Sequence, residues 1–216
     1  PVARHIAGLI EKKTGKSIAT QHPLRMNLDE YTSARSWVDD HFSFVMPERP
    51  TLSEVLRLMR VQVKRRGVQG IVIDPWNEIE HSRTDGVSET EYISIALTEL
   101  RTFARNNRVH LWIVAHPTKL QKDKNGDYPV PTPYDVAGAA HWRNKADNSI
   151  TVWRDINDSS SRVTQVHVQK VRFKEIGKVG VAELAYNHVT GDYSQLDQAN
   201  QEIPSSCYNS PIPATF

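Results

Sequence analysis

The 216-residue sequence holds one cysteine, Cys207, and so cannot close a disulfide within itself. No apolar run approaches the roughly 20 residues of a membrane span, and Pro1 to His5 lack the apolar stretch of a signal peptide. These absences disfavour membrane and secretory readings and leave a reducing, intracellular setting as the expectation. Charge of one sign is also lacking: 27 Lys and Arg stand against 25 Asp and Glu, a formal charge of +2. Composition alone therefore argues for no polyanionic partner, and any nucleic-acid site must be local. There is no internal repeat, and no initiator Met precedes Pro1, which reads as the start of a processed or excised piece.

What is present is an ordinary globular balance, 38% apolar and 24% charged. A chain of this length buries enough surface to fold without staples, so one domain over residues 1–193 is expected, followed by a polar, Pro-containing tail over 194–216. Val2, Ile6, Leu9 and Ile10 fall at helical intervals ahead of Gly15, and Tyr31, Ala34, Trp37 and Val38 repeat that spacing across Leu28 to Asp40. Phe42 to Met46 is a short strand-like run. Thr51 with Glu54 forms a capping box for a helix on Leu52, Val55, Leu56, Met59 and Val63, which Gly67 closes. The cations Lys64, Arg65 and Arg66 suit the negative end of that helix better than they suit DNA.

Gly70 to Asp74 is an apolar strand ending in a carboxylate, Ser88 and Glu91 make a second capping box for a helix to about Asn106, and Val109 to Ala115 is an apolar strand ending at His116. Strand, helix, strand is a βαβ unit. Its right-handed crossover makes the strands parallel and sends Asp74 and His116 out at one sheet edge, where ligands of open α/β sheets bind. Neither strand alternates, as expected where helices cover both faces. A polar loop punctuated by Pro117, Pro129, Pro131 and Pro133 then carries Lys119, Lys122, Lys124 and Gly126. Three more strands follow, at Ser149 to Trp153, Val163 to Val171 and Val181 to Tyr186, separated by turns at Asn157-Asp158-Ser159 and Gly177 to Gly180. The expected class is α/β, a mostly parallel sheet flanked by helices with antiparallel C-terminal strands.

Several residues could carry chemistry. An acid directly after a buried strand, as at Asp74, can hold hydrated Mg²⁺ beside a nucleotide phosphate, or it can simply cap the next turn. His116, ahead of Pro117, can donate to a terminal phosphate or be an ordinary strand-end histidine. His110, His116 and His141 lack zinc-ligand spacing, and no cysteine joins them. Thr14-Gly15-Lys16-Ser17 is not a phosphate loop: Ile10 stands where the motif needs glycine, and the stretch follows a helix rather than opening one. Ala140-His141-Trp142-Arg143-Asn144-Lys145-Ala146-Asp147-Asn148 gathers two cations, an aromatic ring and two amides, which are the parts that grip single-stranded nucleic acid and also the parts of a plain amphipathic surface. Lys170 and Arg172 share one face of an alternating strand. Two adjacent cations repel unless an anion joins them, such as a phosphate from a neighbouring subunit; a solvated edge strand is the plain alternative.

Four stretches occur in order: Ile71-Val72-Ile73-Asp74-Pro75-Trp76-Asn77-Glu78; Trp112-Ile113-Val114-Ala115-His116-Pro117; Gly138-Ala139-Ala140-His141-Trp142-Arg143-Asn144-Lys145-Ala146-Asp147-Asn148; and Gln169-Lys170-Val171-Arg172-Phe173 ahead of the Gly177 to Asn187 strand. Together they resemble the RecA-like ATPase domain of ring-forming replicative DNA helicases, the class of DnaB, the phage primase-helicases and Twinkle, with the phage and Twinkle-like branch nearest.

The resemblance implies ATP and Mg²⁺ as ligands, Asp74 as the Walker B acid and metal ligand, and His116 as the γ-phosphate sensor. It implies Lys170 and Arg172 as trans-acting fingers, and His141 to Lys145 as the DNA contact. It implies a hexameric ring on single-stranded DNA moving 5′ to 3′, with a primase domain or a polymerase as further partner and a bacterial or phage-infected cytoplasm ahead of a mitochondrion. The family's Walker A loop and the glutamate after it have no counterpart here and are expected upstream of Pro1. Glu78 and Glu80 are nearby acids, but nothing marks either as a replacement. Residues 1–216 alone are accordingly expected to hydrolyse ATP poorly or not at all. The rivals are a RecA-class recombinase or loader ATPase and, for this stretch by itself, a non-catalytic DNA-binding or assembly module.

Overall fold

The computed structural model describes residues 2–19, 22–80, 86–122, 124, 126–138, 140–155, 162–187 and 190–196. Two compact units divide the chain: Pro1–Phe44 with Arg154–Val166 and Ala182–Phe216, and Val45–Trp153 with His167–Val181.

In the first unit, α1 (Val2–Thr14) and α2 (Leu28–His41) pack around Ile10, Met26, Ala34 and Val38. A full capping box starts α2: Asn27 Oδ1 accepts from the Glu30 N–H at 2.8 Å, and the Glu30 carboxylate accepts from the Asn27 N–H at 2.9 Å. Its signature is weaker in sequence than those at Thr51 and Ser88, yet those two starts form only half of the box. Thr51 and Ser88 each accept from the N–H three residues on, while Glu54 turns to Arg57. Phe42 to Met46 makes no strand. The segment is extended but no ladder partner runs beside it among the described residues, so its apolar side chains stay at the surface.

The second unit carries α3 (Leu52–Arg66), β1 (Gly70–Ile73), α4 (Glu89–Asn107), β2 (His110–Ile113), α5 (Ala140–Lys145) and β3 (Asn148–Trp153). β1 and β2 pair in parallel, Ile71 opposite Leu111 and Ile73 opposite Ile113. Ile73 lies in the core with Met59, Trp76, Ile79, Ile93, Ala96, Leu97, Leu100, Phe103 and Trp142; Ile71, Leu111 and Ile113 pack against it. Unalternating strands predict helical cover on both faces, but burial here has a period of two: Val72 is 63% and Trp112 49% exposed. Among the described residues only one face of the pair is covered, so the run of apolar residues overstates its burial.

β4 (Val163–Val171) and β5 (Gly180–Tyr186) have residues in both units, and with β6 (Tyr193–Gln195) they complete a second sheet in the order β3-β4-β5-β6. β5 and β6 run antiparallel, Tyr186 opposite Tyr193. β6 thus takes in the first residues of the expected tail; 197–216, and the turn at 157–159, lie outside the described residues.

Leu100 is 1% exposed at the centre of the larger core, whereas Leu28 is 77% exposed. Leu100→Ala is expected to cost about 2–5 kcal/mol of stability, and Leu28→Ala less than about 0.5 kcal/mol, as read from denaturant midpoints.

Candidate functional site

Parallel pairing delivers the two strand exits together. Past the last ladder pair the backbones stay stitched: the Val114 N–H donates to Ile73 O at 2.9 Å and the Trp76 N–H to Val114 O at 2.7 Å. The Asp74-Pro75 peptide between them is cis. A short 3-10 turn, Trp76–Glu78, follows, and its loop is anchored from below because Trp76 and Ile79 are buried. That anchoring leaves Asp74, Asn77 and Glu78 facing water. His116 is exposed beyond β2 and lines a cavity of about 270 Å³ with Asn77, Glu89, Tyr92, Val136 and Ala137. Burial, with the Glu99 carboxylate adding, pushes the Tyr92 phenol above its ordinary value. A larger groove of about 650 Å³ between α3 and α4 contains none of the candidate site residues.

The Gly138 turn sets α5 against α4. Gly138 has φ +79°, and a Cβ there would lie 2.8 Å from Ile93 Cδ1, so both the backbone conformation and the close approach require glycine. The contact sequence His141 to Lys145 is then split by α5 into an inner and an outer set. Trp142 is 8% exposed, its ring edge-on to Trp76 at 5.3 Å and its Nε1 donating to Ala137 O at 2.7 Å. A ring so enclosed offers no face to a base, and its task is packing. Lys145 Nζ donates to Ser94 O at 2.7 Å and to Thr98 Oγ1, which ties α5 to α4. Arg143 lies over the exposed Tyr134 ring at 5.5 Å, Asn144 is exposed and His141 half-buried.

Lys170 and Arg172, at and just past the end of β4, find their negative partners close by. Lys170 Nζ donates to the carbonyls of Arg143 and Ala146, and Arg172 pairs with Asp147 at 2.7 Å. Burial, with Arg172 and Arg143 adjacent, holds the Lys170 ammonium below the usual lysine range, while Asp147 pulls the other way. The expected anion is therefore supplied here by one carboxylate and the carbonyl end of α5.

Thr14 to Ser17 does not cradle phosphate. Gly15 closes α1 by donating to Glu11 O at 2.8 Å, Ser17 is buried, and Lys16 pairs with Glu30. A helix end that presents carbonyls repels an anion.

Sequence reasoning assigns no role to the lysines of the loop after His116, and the structure leaves them exposed. The root of that loop is fixed: the Thr118 N–H donates to Asp135 O at 2.6 Å, and Gln169 Nε2 and Thr151 Oγ1 donate to Pro131 O at 2.7 and 3.0 Å. Lys119, Lys122 and Lys124 are exposed on it, Lys122 over the Tyr128 ring at 5.2 Å. Three lysines in a Pro-rich loop are the signal in the sequence that marks it.

No family model matches the chain. A Twinkle homolog protein, chloroplastic/mitochondrial, of Arabidopsis thaliana is 40% identical over 175 residues, 79% of this chain; the chain spans 24% of that relative's length. A solved ATPase domain superposes with a TM-score of 0.71 at 18% identity, covering 91% of this chain and 71% of the other. A DnaB-like replicative helicase, solved with its interactions with primase in view, gives 0.69 at 20% identity, covering 89% and 49%. At these identities the solved structures carry the fold, which is RecA-like.

Trp142→Ala is expected to lower stability by about 3–5 kcal/mol, with Trp142→Phe much milder, in thermal or denaturant unfolding. A Trp142→Ala protein of unchanged stability that binds DNA more weakly would return the ring to the DNA contact.

Proposed function

We propose that this chain, whose fold is that of DnaB-like helicase ATPase domains and whose sequence falls with their Twinkle-like branch, is the motor segment of an ATP-dependent replicative DNA helicase. The observation that carries the reading is the parallel β1–β2 pair, which turns Asp74 and His116 out at one sheet edge in a chain 40% identical to a Twinkle homolog. Asp74 is the metal-side carboxylate. A single exposed acid fits Mg²⁺, which keeps several waters and takes its other ligands from nucleotide phosphates; among the described residues no group of three His, Cys, Asp or Glu could cage an ion. When bound, the ion would neutralise charge shared between the phosphates.

His116, exposed beside the cavity, donates to the terminal phosphate and loses that partner on hydrolysis. Arg172 supplies a cation to nucleotide held by an adjoining subunit, which makes the contact head-to-tail and closes it into a hexameric ring. Thr14 to Ser17 presents carbonyls and supplies no backbone cradle for phosphate.

Single-stranded DNA in the ring meets the lysine loop first. Lys119, Lys122 and Lys124 are exposed on a fixed root, with His141, Arg143 and Asn144 on α5, while Trp142 and Lys145 hold that helix in place. Translocation 5′ to 3′ and a primase partner follow from the helicase reading; the DnaB-like helicase of the same fold interacts with primase. One cysteine suits a reducing compartment, whether a bacterial or phage-infected cytoplasm or the organelle interior of the plant relative.

In the whole protein Arg172→Ala is expected to abolish DNA-stimulated ATP hydrolysis while nucleotide binding stays largely intact; wild-type turnover would sink the finger assignment. Lys119→Ala, Lys122→Ala and Lys124→Ala combined are expected to weaken single-stranded DNA binding and flatten its salt dependence by about 0.7 in log–log slope for each phosphate released from the grip. An unchanged slope there, with a flattened one in Arg143→Ala, would move the grip to α5.

A further inference from the structure

Three cations and one carboxylate meet where α4, α5 and the end of β4 come together. Asp147 Oδ1 accepts from Arg172 Nε at 2.7 Å and from Arg101 Nη2, on α4, at 3.0 Å. Arg172 Nη2 also reaches the carbonyls of Asn144 at 3.1 Å and Ala146 at 3.4 Å. Lys170 Nζ donates to the carbonyls of Arg143, Asn144 and Ala146, the second at 3.5 Å and the third at 2.8 Å.

The two strand cations are not equivalent. All the partners of Lys170 are backbone oxygens at the end of α5, and withdrawing Lys170 would leave Asn144 O and Ala146 O to Arg172 alone. Arg172 leans instead on a carboxylate in a solvated pair, 29% exposed on its own side and 46% on the side of Asp147. A pair so exposed shifts an equilibrium only roughly two- to fivefold. Arg101 sits on the same oxygen, so Asp147 keeps a cation when Arg172 leaves.

We propose that Asp147 is a positioning residue that parks Arg172 inside its own protomer, with Arg101 as the permanent partner, and that Arg172 exchanges between Asp147 and the phosphate of nucleotide bound by an adjoining subunit. Lys170 stays behind as the cap of α5. The exchange reaches the DNA side as well, because a departing Arg172 also drops the carbonyls of Asn144 and Ala146 and leaves the end of α5 to Lys170 alone. This rests on the trans-acting reading of Arg172 given above.

The test uses the whole protein and opposite shifts. Asp147→Asn keeps the shape and an acceptor oxygen but removes the charge that holds Arg172; turnover without DNA is expected to rise roughly two- to fivefold at unchanged KM, and stimulation by single-stranded DNA to fall by the same factor. Arg101→Met leaves Asp147 to Arg172 alone and is expected to lower DNA-free turnover. A loss of structure would lower both. Asp147→Asn combined with Arg172→Ala should match Arg172→Ala.

Independently of turnover, a thermal double-mutant cycle of Asp147→Asn and Arg172→Gln is expected to be non-additive without nucleotide and additive with Mg²⁺ and a non-hydrolysable ATP analogue. DNA-free turnover that stays level or falls in Asp147→Asn, or a cycle that nucleotide leaves unchanged, overturns the parking of Arg172 if Arg172→Ala has lost turnover. Wild-type turnover in Arg172→Ala overturns the trans-acting reading itself, and the parking proposal with it.

Discussion

Trp76 and Trp142 meet edge to face at 5.3 Å, and the arrangement of the candidate site depends on that contact. Such a pair contributes about 0.5–1.5 kcal/mol beyond its area burial, but its larger effect is positional. Trp76 lies in the loop that leaves β1 just after Asp74, and Trp142 lies within α5. Each residue is held a second time: the Trp76 backbone N–H donates to Val114 O at the β2 exit, and the Trp142 ring donates from Nε1 to Ala137 O ahead of α5. The strand exits that carry Asp74 and His116 and the helix that Lys170 caps are thereby referred to one core.

The cations sort by what they are already bonded to. Lys145 and Lys170 donate to backbone oxygens and hold α5 from two sides, Arg172 shares a carboxylate with Arg101, and the three lysines after His116 stand in water. Sequence places all of these in basic stretches, and only the local partner separates a helix cap from a ligand contact. A net charge of +2 does not describe the local field, because three exposed lysines on one fixed loop root concentrate positive charge there.

Much of the fold was legible in the sequence. The helices at residues 2, 28, 52 and 89, the parallel strands ending at Asp74 and His116, and three of the four strands of the second sheet follow from periodicity, capping residues and turn glycines, which act over a few residues. What escaped depends on neighbours distant in sequence. Phe42 to Met46 has the composition of a strand and no ladder partner among the described residues; Val72 and Trp112 belong to an apolar run yet have no helix above them there; Trp142 reads as a stacking aromatic until α5 turns it inward. At the candidate site, local pattern revealed which residues carry charge, and long-range packing decided which of them are available.

The face of the β1–β2 pair that no described residue covers gives the chain an optical asymmetry. Of its five tryptophans, Trp76 and Trp142 are buried, and Trp112 is the one in the exposed class among the described residues. A collisional quencher in water therefore reaches Trp112 well ahead of the buried pair. Any body that seats on Val72 and Trp112 would shield that indole and shift its emission to the blue, so intrinsic fluorescence reads the occupancy of this face without a label.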